Sequence, residues 1–152
     1  MIYVRPSKKH YYLQLAEVIA SRSTCLHKHY GAVIVKDDRI IATGYNGAPR
    51  GEPNCCDVKT CYRDMHPLPV DLDAAAHGGQ YGSCVAVHAE QNAMLSASQA
   101  ALAGSTLYLV GVDPATGKRI DATPCNICSR MIRNSGIAKV VLGRAKDDEG
   151  PI

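Results

Sequence analysis

Two short motifs restrict the folds open to this chain more than any other feature. His88-Ala89-Glu90 and Pro124-Cys125-Asn126-Ile127-Cys128 each stand where the sequence predicts a helix to begin. Cys125 and Cys128 are spaced so that both side chains leave one side of a first helical turn. One imidazole and two thiolates form a donor set suited to Zn²⁺, and three protein ligands leave a fourth position for water. A fold that satisfies both motifs must bring two helix N-termini to one point, where their dipoles favour thiolates and a bound anion. Glu90 lies close to His88 but is better placed to carry protons than to ligate. Activated water beside a carboxylate is suited to hydrolytic attack on an electrophilic carbon. A lone histidine is more often a core residue, and a lone C-x-x-C is often redox-active or structural. Together, at two helix starts, they specify a metal centre.

The surrounding pattern predicts where these helices sit. Residues 7–21 read as a helix with Ser7 as N-cap. Residues 32–36 and 39–43 are β-rich runs joined by Asp37-Asp38, a hairpin. Residues 44–83 are rich in Gly, Pro, Asn, Asp and Cys and too long for an ordinary connection, so the segment is expected to be functional or pinned. A helix is predicted over 87–103, a strand over 106–110, and a polar loop over 113–123. A second site helix follows over 125–135, with Thr123 as its N-cap and Pro124 at its first position, then a strand over 139–142. Residues 144–152 form a charged tail expected to be loosely ordered. Helices between strands favour parallel pairing, so an α/β fold with a mixed sheet of four to five strands and an N-terminal antiparallel hairpin is expected. The length of 152 residues fits a single domain, 1–152.

Composition narrows the function. The net charge of +3 comes from basic residues scattered along the chain, with no Phe or Trp for base stacking, which argues against a nucleic-acid binder. No apolar run is long enough to cross a bilayer, and no secretory signal is visible, so a cytoplasmic protein is expected. In that setting seven cysteines point to metal binding or catalysis rather than disulfides.

H-A-E followed by P-C-x-x-C resembles the zinc-dependent cytidine deaminase superfamily, whose signature this is. The resemblance to its deoxycytidylate (dCMP) deaminase family is closer. It rests on Arg22-Ser23-Thr24-Cys25, Gly31-Ala32-Val33-Ile34-Val35, Gly44-Tyr45-Asn46-Gly47-Ala48-Pro49 and His88-Ala89-Glu90-Gln91-Asn92-Ala93, in the family's order. The resemblance implies a three-layer α/β/α cytidine deaminase-like fold. It further implies hydrolysis of dCMP to dUMP and ammonia, with zinc held by His88, Cys125 and Cys128 and with Glu90 as proton shuttle. Asn46 would contact the sugar and the backbone around Ala89 the base; the simpler reading of Asn46 is a turn residue beside Gly47. Family members are often homo-oligomers, commonly hexamers, activated by dCTP and inhibited by dTTP.

Some members hold a second, structural zinc near the residues matching Cys25 and Cys55. With Cys61 and Cys84 these would complete a four-thiolate site pinning the long irregular segment, leaving Cys56 over. Cys56 in place of Cys55, His77 in place of one thiol, and buried cysteines without metal are the competing readings.

Two departures stand out. Where the family carries a basic residue facing the substrate phosphate, this chain has Gln99, which leaves Arg50, Lys28 and Arg63 as candidates. The loop 111–122 is also longer than in the shortest family members. Other readings are a deaminase of another cytosine nucleoside or nucleotide and, in a different class, a zinc-stapled nucleotide-binding module without catalysis. The second would not require Glu90.

Overall fold

A computed structural model of the chain describes residues 2–67 and 84–147. Helix α1 (Lys8–Ala20) starts at Ser7, whose hydroxyl accepts a hydrogen bond from His10 N at 3.1 Å. Strands β1 (His29–Lys36) and β2 (Arg39–Tyr45) form the expected antiparallel hairpin. Asp37 and Asp38 both take left-handed backbone (φ 49° and 60°), the conformation that a two-residue turn matching strand twist requires. The irregular segment contains two single-turn helices, α2 (Cys55–Val58) and α3 (Tyr62–Met65). His77 and the rest of 68–83 lie outside the described residues.

The helix predicted over 87–103 is two helices, α4 (Ala89–Leu95) and α5 (Gln99–Leu102). Serine chemistry breaks it. The Ser96 hydroxyl donates back to Asn92 O at 2.8 Å, and the Ser98 hydroxyl accepts from Ala101 N at 3.2 Å, capping the second helix. Strand β3 (Thr106–Val112) then pairs with β4 (Arg119–Ile120), a short strand inside the stretch read as a polar loop. Helix α6 (Asn126–Asn134) precedes β5 (Lys139–Leu142). Its N-cap is Cys125, not Thr123, because the Cys125 Sγ takes the capping hydrogen bond from Cys128 N.

The five strands form one mixed sheet in the order β2-β1-β3-β4, with β5 beside β3. β1 and β3 are antiparallel, and β3 and β5 parallel. The stretch expected to be a polar loop therefore contributes a strand to the sheet. On one face, Tyr12, Leu13 and Ala16 of α1 pack on Val33, Val35 and Val110. On the other, Ala89, Ala93, Met94, Leu102 and Ile132 pack on Ala32, Ile34, Ala42, Leu107 and Leu109. Helices thus cover both faces of the sheet, giving the expected three layers.

Two glycines set how closely helices approach. A Cβ at Gly31 would lie 1.9 Å from Ala16 O of α1, and one at Gly44 would lie 2.4 Å from Ala89 O and Ala93 N of α4. Backbone-to-backbone contact at Gly44 fixes the start of α4, and with it His88 and Glu90. The β3–β4 hairpin carries Arg119 into the interior, where it is 3% exposed and donates to Glu17 Oε2 at 2.7 Å and Asp147 O at 3.1 Å. Ala145 N also donates to Asp121 Oδ1, so residues 144–147 of the tail are held against the body; 148–152 lie outside the described residues.

Candidate active site

His88 and Cys125 occupy the N-cap positions of α4 and α6, so the positive ends of both helices meet at the same place. His88 Nδ1 lies 3.6 Å from Cys125 Sγ and 3.5 Å from Cys128 Sγ. All three donor atoms fall within 4.8 Å of one another, close enough to share one ion. The His88 backbone is held by Gln91, whose side-chain oxygen accepts from the His88 backbone N–H at 2.9 Å. Burial lowers the His88 pKa, which keeps the imidazole in its neutral, ligating form.

Cys128 is fully buried, and Glu90 beside it is 5% exposed. Burial, then the Glu90 charge, pushes the Cys128 thiol far above its ordinary value. A buried thiol facing a buried carboxyl fits a divalent cation, which removes the thiol proton and balances the thiolate charge. The donors therefore suit zinc in chemistry as well as spacing. Burial also raises the Glu90 pKa above the usual carboxylate range, opposed by hydrogen bonds from its own backbone and from Cys128. A carboxyl that exchanges its proton closer to neutrality is better matched to general acid–base work.

His88, Glu90 and Cys125 line a cavity of about 440 Å³ together with Asn46 and Ala89. Asn46 is buried and does more than turn the chain. Its Oδ1 accepts from Tyr30 N at 2.8 Å and from the Ser23 hydroxyl at 2.6 Å, while Nδ2 donates to Lys28 O at 3.0 Å. Next to it, Gly47 and Val87 exchange backbone hydrogen bonds of 3.1 and 2.8 Å, tying the Asn46 loop to the residue before His88. Asn92 Nδ2 adds a bond to Tyr45 O at 2.8 Å. The Asn46 loop and the start of α4 are thereby held as one unit.

Cys25, Cys55, Cys61 and Cys84 line the same cavity. Burial raises the Cys55 pKa, and nearby thiolate charge on Cys61, Cys25 and Cys84 raises it further. The tighter grouping in that region was not read from the sequence. His27, Cys61 and Asp64 have donor atoms within 4.8 Å of one another, and His27 Nε2 is 2.7 Å from Asp64 Oδ2. Neither His27 nor Asp64 belongs to a motif, so only the fold brings them together. Of the phosphate candidates, Lys28 and Arg63 line this cavity, whereas Arg50 lines a separate one of about 1140 Å³ and Gln99 lines neither.

Comparison with known proteins agrees with this geometry. Residues 6–144 match the cytidine and deoxycytidylate deaminase zinc-binding region. The chain belongs to the cytidine and deoxycytidylate deaminase family. It is 39% identical over 137 residues to the deoxycytidylate deaminase of Mycobacterium phage D29, covering 90% of this deaminase and 94% of the relative. It is 34% identical to the Schizosaccharomyces pombe deoxycytidylate deaminase over 90% of its own length but only 37% of the yeast protein. The crystal structure of dCMP deaminase from the cyanophage S-TIM5, in complex with dCMP and dUMP, superimposes with a TM-score of 0.59 at 30% identity. The match covers 91% of this deaminase and 82% of that chain.

The raised Glu90 pKa sets the sign of the pH dependence. In metal-free protein burial favours the protonated carboxyl, so Glu90 stays protonated to a higher pH than an exposed carboxylate and loses its proton as pH rises through the raised value. Titration of metal-free protein followed by carboxyl NMR is expected to place Glu90 above the ordinary carboxylate range of about 4. A value at or below that range would mean that burial does not govern Glu90.

Proposed function

We propose that this deaminase hydrolyses dCMP to dUMP and ammonia. The observation that carries this reading is the buried Glu90 beside the His88–Cys125–Cys128 cluster, in a cavity shared with Asn46 and Ala89. Zinc held by those three residues lowers the pKa of a water molecule and so supplies the nucleophile near neutrality. Glu90 accepts a proton from the attacking water and delivers it to N3 of the cytosine. As oxygen bonds to C4, the ring loses its aromatic stabilisation. Glu90 then carries the hydroxyl proton to the amino group, the C4–N bond breaks, and ammonia leaves a carbonyl behind. Asn46, with one amide N–H beyond its three protein hydrogen bonds, contacts the sugar, and the Ala89 backbone meets the base.

In the same reading Cys25, Cys55, Cys61 and Cys84 hold a second, structural zinc that joins α2 and α3 to the loop after α1. Their shared cavity wall and the mutual charge effects on Cys55 support it. Two zinc ions per chain are expected by elemental analysis, falling to one in both Cys61→Ser and Cys25→Ser. Loss in Cys61→Ser alone would move the site to His27, Cys61 and Asp64.

We place the enzyme in a reducing cytoplasm, since none of its seven cysteines is in a disulfide, and among the described residues no helix is long and apolar enough to cross a membrane. We read it as a homo-oligomer responsive to dCTP and dTTP; Leu95, 76% exposed, and the half-exposed Met131 leave apolar surface on α4 and α6 for a neighbour. Ammonia release from zinc-replete protein, compared for dCMP, CMP, deoxycytidine and dCTP, tests the substrate. Preferential turnover of dCMP is expected, and inert dCMP beside a reactive nucleoside would overturn the assignment. The same assay with dCTP or dTTP added, on protein sized by light scattering, reads assembly and effectors; a monomer indifferent to both would exclude them.

A further inference from the structure

A nucleoside monophosphate differs from its nucleoside by a group carrying close to two negative charges at neutral pH, so selectivity for it needs cationic groups at a fixed distance from the reacting base. Gln99 lies at the start of α5, off the wall of the catalytic cavity, and Arg50 lines the other cavity in company with Glu52. Two cationic side chains, Lys28 and Arg63, line the cavity that holds His88, Glu90 and Cys125.

They come from segments distant in sequence, and one contact joins those segments. Lys28 follows His27, Arg63 precedes Asp64, and His27 Nε2 lies 2.7 Å from Asp64 Oδ2. Lys28 is also tied to the catalytic side, because its carbonyl accepts from Asn46 Nδ2 at 3.0 Å and the Gly47–Val87 bridge ties the Asn46 loop to His88. Arg63 is half-buried and Lys28 exposed, which suits a planar donor fork set into the wall and a mobile point charge at the mouth.

We propose that Lys28 and Arg63 together hold the phosphate of the substrate, and so replace the basic residue missing at Gln99. This inference rests on the dCMP reading above. Arg63 offers two parallel N–H donors to phosphate oxygens, and Lys28 neutralises the remaining charge. Neither residue is one of the metal donors, so their contribution is to selectivity for the nucleotide over the nucleoside.

The test compares kcat/KM for dCMP and for deoxycytidine on zinc-replete protein, with dUMP affinity measured alongside. Lys28→Ala and Arg63→Ala are each expected to lower kcat/KM for dCMP by about tenfold or more, and the double variant by roughly a hundredfold. Deoxycytidine turnover should be unchanged, and dUMP affinity should fall with the dCMP value. Lys28→Arg and Arg63→Lys should recover part of the loss, while Arg50→Ala and Gln99→Ala keep wild-type selectivity. Variants that retain the wild-type preference for dCMP would overturn the proposal, as would variants that lose both substrates equally. A wild-type enzyme with no preference for dCMP would overturn the substrate reading itself, before any variant is made.

Discussion

Helix α4 lies against β2 with no side chain between them at Gly44, where a Cβ would stand 2.4 Å from Ala89 O and Ala93 N. That contact fixes the depth of α4 in the sheet, and everything at the site is measured from it. His88 caps the helix, Glu90 faces inward from its first turn, and Asn92 bonds back to the end of β2. Across the cavity, α6 is positioned by Ile132 in the same apolar layer, which places Cys125 and Cys128 opposite His88. The three side chains that could hold a metal therefore come from two helix starts whose separation is set by core packing on one face of the sheet. The Gly47–Val87 bridge extends the same rigidity to the loop bearing Asn46.

The polar interior makes sense only as a set. Burial pushes the pKa of both the Cys128 thiol and the neighbouring Glu90 carboxyl upward; the Glu90 charge adds to the shift of Cys128, whereas the hydrogen bond from Cys128 opposes that of Glu90. In an apolar core this would be a destabilising defect. A divalent cation held by His88, Cys125 and Cys128 would invert that balance by stabilising the thiolates, and Glu90 would then be the group free to exchange protons. Most of these residues are at or near a helix N-terminus, so backbone dipoles oppose the burial cost where anionic groups are needed.

Much of this was legible in the chain itself. Period-two and period-3.6 patterning located α1, both hairpin strands, β3, β5 and α6. The H-A-E and P-C-x-x-C motifs singled out His88, Cys125 and Cys128, whose donor atoms the fold brings within 4.8 Å of one another. What the sequence hid was of two kinds. Local serine hydrogen bonding at Ser96 and Ser98 divided one apparent helix, and a Cys side chain displaced Thr123 as the cap of α6. Both are competitions between side chain and backbone that hydrophobic patterning does not register. The other kind is tertiary: His27 and Asp64 meet at 2.7 Å, and Arg119 reaches Glu17, through contacts between segments with no shared motif. The four cysteines lie between these cases: the resemblance points to Cys25 and Cys55, position along the irregular segment to Cys61 and Cys84, and only the fold brings all four to one cavity wall.

The proposed chemistry depends on Glu90 moving protons at a metal centre that it does not build. The most direct measurement is zinc content and dCMP turnover of the Glu90→Gln variant beside wild type. Gln keeps the shape and the hydrogen-bonding reach but cannot accept a proton. Undiminished zinc content with turnover lowered by about a hundredfold or more is the expected result. Turnover close to wild type, or loss of zinc together with activity, would contradict the role assigned to Glu90.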